Sequence, residues 1–170
     1  MKVYLARGMS GRVKSEVVKE ARQDRRKLDK LGITPLCPVL SENVRAGKSA
    51  IASTVEQMNN YWFRDKQMIR EANVVFDMTP ELKSEGVAHE IGYARYFLYK
   101  PVVRVYKNGQ LPPTSSVAFY EDDLIVSSVE EGAVEALRRW GTWYRRILWR
   151  FSLYKRCLPG MIKAWLGGWK

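Results

Sequence analysis

Apolar positions along the chain follow two periods. Short runs such as Lys2–Ala6 (K-V-Y-L-A), Asn73–Met78 (N-V-V-F-D-M) and Pro101–Tyr106 (P-V-V-R-V-Y) are too brief for helices and rich in β-branched residues, so they predict buried strands. Between the first two the spacing changes. Val13, Val17, Ala21, Leu28 and Leu31 fall near one helix face with Lys, Arg, Glu and Asp elsewhere, and Gly32 is placed to stop that helix. Ile33–Cys37 reads as a second strand, Pro38–Thr54 as a long loop and Val55–Glu71 as a helix. Glu81–Glu85 is a loop, and a helix runs from Gly86 to about Tyr99. Leu124–Val126 reads as a fifth strand and Val129–Trp140 as a closing helix. Strands alternating with helices predict an α/β chain: a five-stranded parallel sheet with helices on both faces, Rossmann/flavodoxin-like. Ligands are expected outside the carboxyl ends of the strands, where the chain order reverses. The pattern divides the chain into a domain over residues 1–140 and a basic, aromatic helical tail over 141–170.

Composition narrows the function. At 170 residues and 46% apolar content the chain suits one domain with a real core, which excludes disorder. The net charge of +11 invites a nucleic-acid reading. Its distribution does not support one for the domain. From Arg138 onward there are nine Lys/Arg and no acid, whereas residues 1–137 carry 20 basic and 18 acidic residues. Five of the six tryptophans also lie from Arg138 onward. Cys37 and Cys157 cannot build a disulfide framework or a four-ligand zinc site, and the single histidine, His89, excludes mechanisms needing two imidazoles. No run approaches the ~20 apolar residues of a membrane span, and Met1–Ala6 is too short for a signal peptide. A soluble, cytoplasmic chain is the expectation.

The loops after strands one and three carry the candidate chemistry. The first offers Gly8, Met9, Ser10, Gly11 and Arg12 just before a helix. Small residues let backbone N–H groups approach an anion, and Arg12 can fork onto a phosphate. An ordinary strand-to-helix turn explains the same residues, and neither dinucleotide nor Walker spacing is present. After strand three comes Ser84-Glu85-Gly86-Val87-Ala88-His89-Glu90-Ile91-Gly92-Tyr93-Ala94. Val87, Ile91, Ala94 and Leu98 share the sheet-facing side of that helix. Glu90 falls on its flank as a half-buried acid, and His89 points away. By pattern alone Glu90 is equally a first-turn helix acid, and Asp65 equally a surface partner of a neighbouring Arg or Lys.

At these residues the sequence resembles the nucleoside 2-deoxyribosyltransferase superfamily, most closely its 2'-deoxynucleoside 5'-phosphate N-hydrolase branch. The pieces come in order: Tyr4–Met9 with Gly11-Arg12, then Asp65 eight residues before Asn73-Val74-Val75. They continue with Ser84-x-Gly86-Val87-x-x-Glu90-Ile91-Gly92-Tyr93-Ala94, Lys100-Pro101-Val102 and Glu130–Leu137. Together they span roughly residues 2–139. The resemblance implies an N-glycosidase working without a cofactor or metal. Glu90 would be the nucleophile on C1' and Asp65 would help protonate the leaving base. Tyr4, Gly8, Met9, Ser10, Gly11, Arg12, Ser84 and Gly86 would bind substrate. Serine at 84, where transferases on free nucleosides carry aspartate, favours a nucleoside 5'-monophosphate, because a hydroxyl donates to a phosphate that a carboxylate would repel. Met9-Ser10 departs from the hydrolase pattern and removes one phosphate-binding arginine, for which Arg7 is a substitute. The resemblance also implies a homo-oligomer whose subunits complete one another's sites, with Pro112–Ser116 as a candidate contact. A base-exchanging deoxyribosyltransferase is the rival enzyme. A non-catalytic nucleotide-sensing or nucleic-acid-binding module is the rival from another class.

The resemblance ends at Gly141. A helical tail would align Trp140, Tyr144, Ile147, Phe151 and Tyr154 in one stripe beside Arg145, Arg146, Arg150 and Lys155. That stripe fits packing on the core or a second subunit. It equally fits contact with an anionic surface, either a membrane or nucleic acid.

Overall fold

A computed structural model describes residues 1–9, 11–41, 55–80, 84–107, 124–143 and 145–152, with the side chains of 55–58 excepted. Five strands form a parallel sheet: β1 (Lys2–Ala6), β2 (Thr34–Leu36), β3 (Val74–Asp77), β4 (Val102–Val105) and β5 (Leu124–Val126). Their order is β2-β1-β3-β4-β5. β1 pairs with β3 in the register Tyr4↔Val75 and Ala6↔Asp77, and β3 with β4 as Asp77↔Arg104. The chain order therefore reverses at β1/β3, the place where open α/β sheets as a class hold a crevice at the carboxyl ends of their strands.

Helices cover both faces because the strands are apolar on both. Val3, Leu5, Val74, Phe76, Val103 and Val105 pack beneath α1 (Lys14–Lys30) and α5 (Val129–Trp140). Tyr4, Ala6, Val75 and Val102 face α3 (Val55–Glu71) and α4 (Glu85–Gly92). α1 ends as its sequence predicts. Gly32 takes φ +67°, its N–H donates to Asp29 O, and that of Ile33 donates to Leu28 O, with Leu28 and Ile33 both buried. α5 crosses close to the sheet at Gly132. A Cβ there would lie 3.1 Å from both Phe76 and Val103 and 3.2 Å from Val126.

Three expectations need revision. The loop after β2 begins with a short helix, α2 (Pro38–Ser41). The predicted helix from Gly86 to Tyr99 is α-helical only to Gly92 and continues as a π-helical turn over Tyr93–Phe97. That wider turn brings Ala94 and Arg95, adjacent in sequence, both inside. The tail stripe is also divided. Trp140 is buried on the inner face of α5, while Ile147 and Phe151 are exposed. Trp149, outside the predicted stripe, is the ring that turns back, meeting Trp140 edge-on with centroids 6.1 Å apart. Tyr144, Tyr154, Cys157 and Pro112–Ser116 lie outside the described residues.

The described tail, helical over 145–152, sits at the amino ends of the strands. Arg146 donates to Trp140 O at 2.9 Å. Arg150 and Arg146 also act on Lys100, just before β4, whose ammonium is lowered to about 8 first by burial and then by these two charges. Among the described residues, no helix is long and apolar enough to cross a membrane.

Candidate active site

Strand pleating puts Tyr4, Asp77, Arg104 and Tyr106 on the sheet face covered by α3 and α4, the last three at or just past the carboxyl ends of β3 and β4. α4 enters this crevice with its N-terminus capped by Ser84, whose Oγ accepts from Val87 N at 3.5 Å. One turn later Glu90 leaves the sheet-facing side of α4, as its position on the helix flank predicts. Its Oε2 is cut off from solvent and accepts no hydrogen bond among the described residues. Tyr4 Oη is in the same state. A native fold seldom leaves such groups unpaired, because each loses water without a replacement partner.

The electrostatics mark the same place. Burial pushes the Glu90 carboxyl from its ordinary 4.5 up to about 8, and the neighbouring acids Asp65 and Asp77 push in the same direction. The Tyr4 hydroxyl and Arg64 oppose them. The hydroxyl is near enough to favour the carboxylate, although its geometry is not that of a completed hydrogen bond. Tyr4 itself is raised well above the ordinary phenol range by burial, then by Glu90 and Asp65. Asp65, on α3, is paired with Arg64 at 3.0 Å, the ion pair its neighbours allow, while its charge acts on both Glu90 and Tyr4. Tyr4, Asp65 and Glu90 thus form one cluster from three elements far apart in sequence. A buried carboxyl raised toward neutral pH beside a second acid is an arrangement suited to proton transfer and, once ionised, to attack on an electron-poor carbon.

The first loop is organised differently from expectation. Arg7 is buried, bonded to Glu20 at 2.7 Å and to Asp24; Arg12 is bonded to Glu20 as well. Both guanidiniums are held by acids of α1, and Lys107 adds a third cation at Asp24, 2.9 Å away. Arg7 is therefore no stand-in for a missing phosphate ligand. The Gly8 N–H, expected to be open to an anion, donates to Thr79 Oγ1 at 2.8 Å. Met9 packs toward the α1/α5 side, away from Glu90. Gly11 takes φ +73° in a turn where Arg12 N donates to Met9 O at 3.2 Å, which explains its glycine. Gly86 is exposed on the first turn of α4, His89 is exposed as its position predicts, and Ser10 lies outside the described residues.

Residue patterns alone missed Asp77, Thr79 and Arg104. Asp77 Oδ2 accepts from Arg104 at 3.1 Å and its Oδ1 from Thr79 N at 3.2 Å. Thr79 in turn holds Gly8, so one chain of bonds ties β4, β3 and the loop after β1. A signal was present. Charges ending V-V-F-D and interrupting P-V-V-R-V-Y sit in otherwise apolar strands, and buried charges there need each other.

No protein-family model and no curated protein matches the sequence. Solved structures do match it. A 2-deoxyribosyltransferase from the psychrotolerant bacterium Bacillus psychrosaccharolyticus superposes with a TM-score of 0.52 over 66% of this chain and 77% of its own, at 23% identity. The fold is deoxyribosyltransferase-like. A conserved protein from Enterococcus faecalis V583 gives a TM-score of 0.51 over 81% of this chain and 98% of its own, at 19% identity. A CMP N-glycosidase from Clostridium botulinum gives 0.47 over 79% and 96%, at 16% identity. The cluster around Glu90 is formed from β1, α3 and α4, and in open α/β sheets as a class ligands bind outside the carboxyl ends of the strands where the chain order reverses.

Proposed function

We propose that this chain is an N-glycosidase that cleaves the bond between base and sugar in (deoxy)nucleoside 5'-monophosphates, releasing free base and (deoxy)ribose 5-phosphate. The observation that carries this reading is the buried, unpaired Glu90 Oε2 set between Tyr4 and Asp65 at the crevice. Glu90 attacks C1' as a carboxylate while the C1'–N bond breaks and the departing base takes a proton from Asp65. Water then attacks C1' of the glycosyl ester, returning Glu90 as a carboxylate and leaving its proton on Asp65. Two neighbouring acids that share one proton fit this division of labour, since repulsion keeps both from ionising together. The Tyr4 hydroxyl, which favours the Glu90 carboxylate, orients the nucleophile. Ser84 Oγ, accepting from Val87 N, still has a proton to donate to a 5' substituent. A fold shared with a 2-deoxyribosyltransferase supports the general chemistry.

One observation favours a second reading. With Arg7 and Arg12 both held by Glu20 and Asp24, the first loop offers little uncompensated positive charge to a phosphate dianion. That suits a free nucleoside as substrate, and with it base exchange. Incubating the protein with nucleosides and their monophosphates, with and without an acceptor base, separates the two by chromatography. Free base from monophosphates alone supports the hydrolase. Exchange that requires an acceptor establishes the transferase instead. No base released from any of them overturns both in favour of a binding module, and full activity in Glu90→Ala removes Glu90 as the nucleophile, whatever the substrate.

A further inference from the structure

The tail carries an apolar face that the fold turns outward. Trp143, Ile147 and Phe151 follow one another at single-turn spacing with Leu148 beside them, and their exposures are 69%, 39%, 61% and 64%. Trp149 and Arg146, on the opposite side of the same helix, face the protein. Arg145 and Arg150 flank the exposed face and are themselves exposed. An apolar groove bordered by Tyr99, Ile147, Arg150 and Phe151 extends it across the body of the domain. A helix that docks only to complete a core presents its apolar side inward; this one presents it to solvent between arginines.

We propose that this tail is a membrane-surface anchor that lays the Trp143–Ile147–Phe151–Leu148 face into the interface of an anionic lipid bilayer. Two observations fit lipid over other partners. From Arg138 to Lys170 the chain has nine Lys/Arg and no acid, which matches a negatively charged surface without any specific pairing. On the exposed face itself stands Trp143, a side chain whose apolar body and polar N–H suit the headgroup region. Bulky aliphatic Ile147 and Leu148 on this face suit acyl chains better than stacked bases, and the surrounding like charges disfavour a second copy of the same helix. The anchor sits at the amino ends of the strands, so a bound bilayer leaves the crevice beside Glu90 open.

The test is sedimentation of the full chain with vesicles of phosphatidylcholine alone and of phosphatidylcholine mixed with phosphatidylglycerol, at low and high salt. The readout does not depend on any catalytic activity. Binding is expected to the anionic vesicles, to weaken with salt, and to fall about tenfold or more in Leu148→Ser/Phe151→Ser. Both side chains are solvent-exposed, so an unchanged melting temperature in that variant shows the fold intact. Failure to sediment with either vesicle, or equal sedimentation of variant and parent, overturns the proposal. So does a parent that binds short RNA or DNA but not vesicles, or one whose oligomer is lost in the variant without any vesicle binding.

Discussion

Replacing Glu90 by glutamine keeps the shape of the side chain and removes its titration, and its effect on stability follows from the burial of the carboxyl. A group raised from 4.5 in the unfolded chain to about 8 in the folded one is bound to its proton more tightly after folding. Its stabilising contribution is complete below 4.5 and is lost as pH climbs toward about 8. At about pH 7 the parent has therefore given up about 3 kcal/mol that the amide does not forfeit, taking ~1.4 kcal/mol for each pH step between the two values. Glu90→Gln is expected to be the more stable protein near neutrality, by up to that amount. A buried amide beside Tyr4 adds an offset of its own, but one that does not vary with pH. The assay is urea unfolding of parent and variant at matched pH from acid to mildly alkaline, so that all other titrations cancel in the difference. The gap should widen as pH rises toward about 8 and settle to that constant offset below the ordinary carboxyl range. Parallel curves, with a constant gap throughout, would show Glu90 to be an ordinary solvated acid and refute the reasoning.

Further outcomes follow from the same geometry. If the one proton shared by Glu90 and Asp65 is the proton given to the base, kcat/KM should hold near neutral pH and fall as that proton is lost above about 8; a rate that keeps rising through 8 contradicts this division of labour. Asp65→Asn removes the largest neighbouring charge that raises Glu90, so Glu90 should ionise at lower pH and the fall above about 8 should vanish, while the rate drops by about a hundredfold from loss of the proton donor. Thr79→Val strips the Gly8 N–H of its 2.8 Å acceptor; a loss of about 1–2 kcal/mol in denaturant titration and a raised KM are expected, and unchanged values of both would show that the bond is dispensable. Gly132→Ala forces a methyl to within 3.1 Å of Phe76 and Val103, and should lower stability by about 1–3 kcal/mol, readable as a lower melting temperature.

Much of the architecture was readable in the residues because local period and burial coincide. α3 and α5 begin and end where their apolar spacing places them, and β3 is buried on both faces as the run N-V-V-F-D-M demands. Glu90 was legible for a similar reason: the helix face that packs on the sheet fixes which neighbour is half-buried. The fate of Arg7 and Arg12 was not. Their partners Glu20 and Asp24 lie on α1, and only the rotation of that helix over the sheet decides whether an arginine meets a ligand or a carboxylate. Thr79 and Gly8 are 71 residues apart, and their bond exists only because β1 and β3 are neighbours. The π-helical turn was hidden because Tyr93–Phe97 has the composition of an ordinary helix; its widening answers to tertiary packing.

That widened turn has a consequence for insertions and deletions. An α-helix and a π-helical turn differ in how many residues fill one revolution, so the segment between Glu90 and Lys100 holds its neighbours in a phase that depends on chain length. Removing a single residue there would let the regular winding resume and swing Arg95, now enclosed, toward the outside. Whether a guanidinium lies within the domain is thus governed by a count of codons as much as by the identity of any one of them.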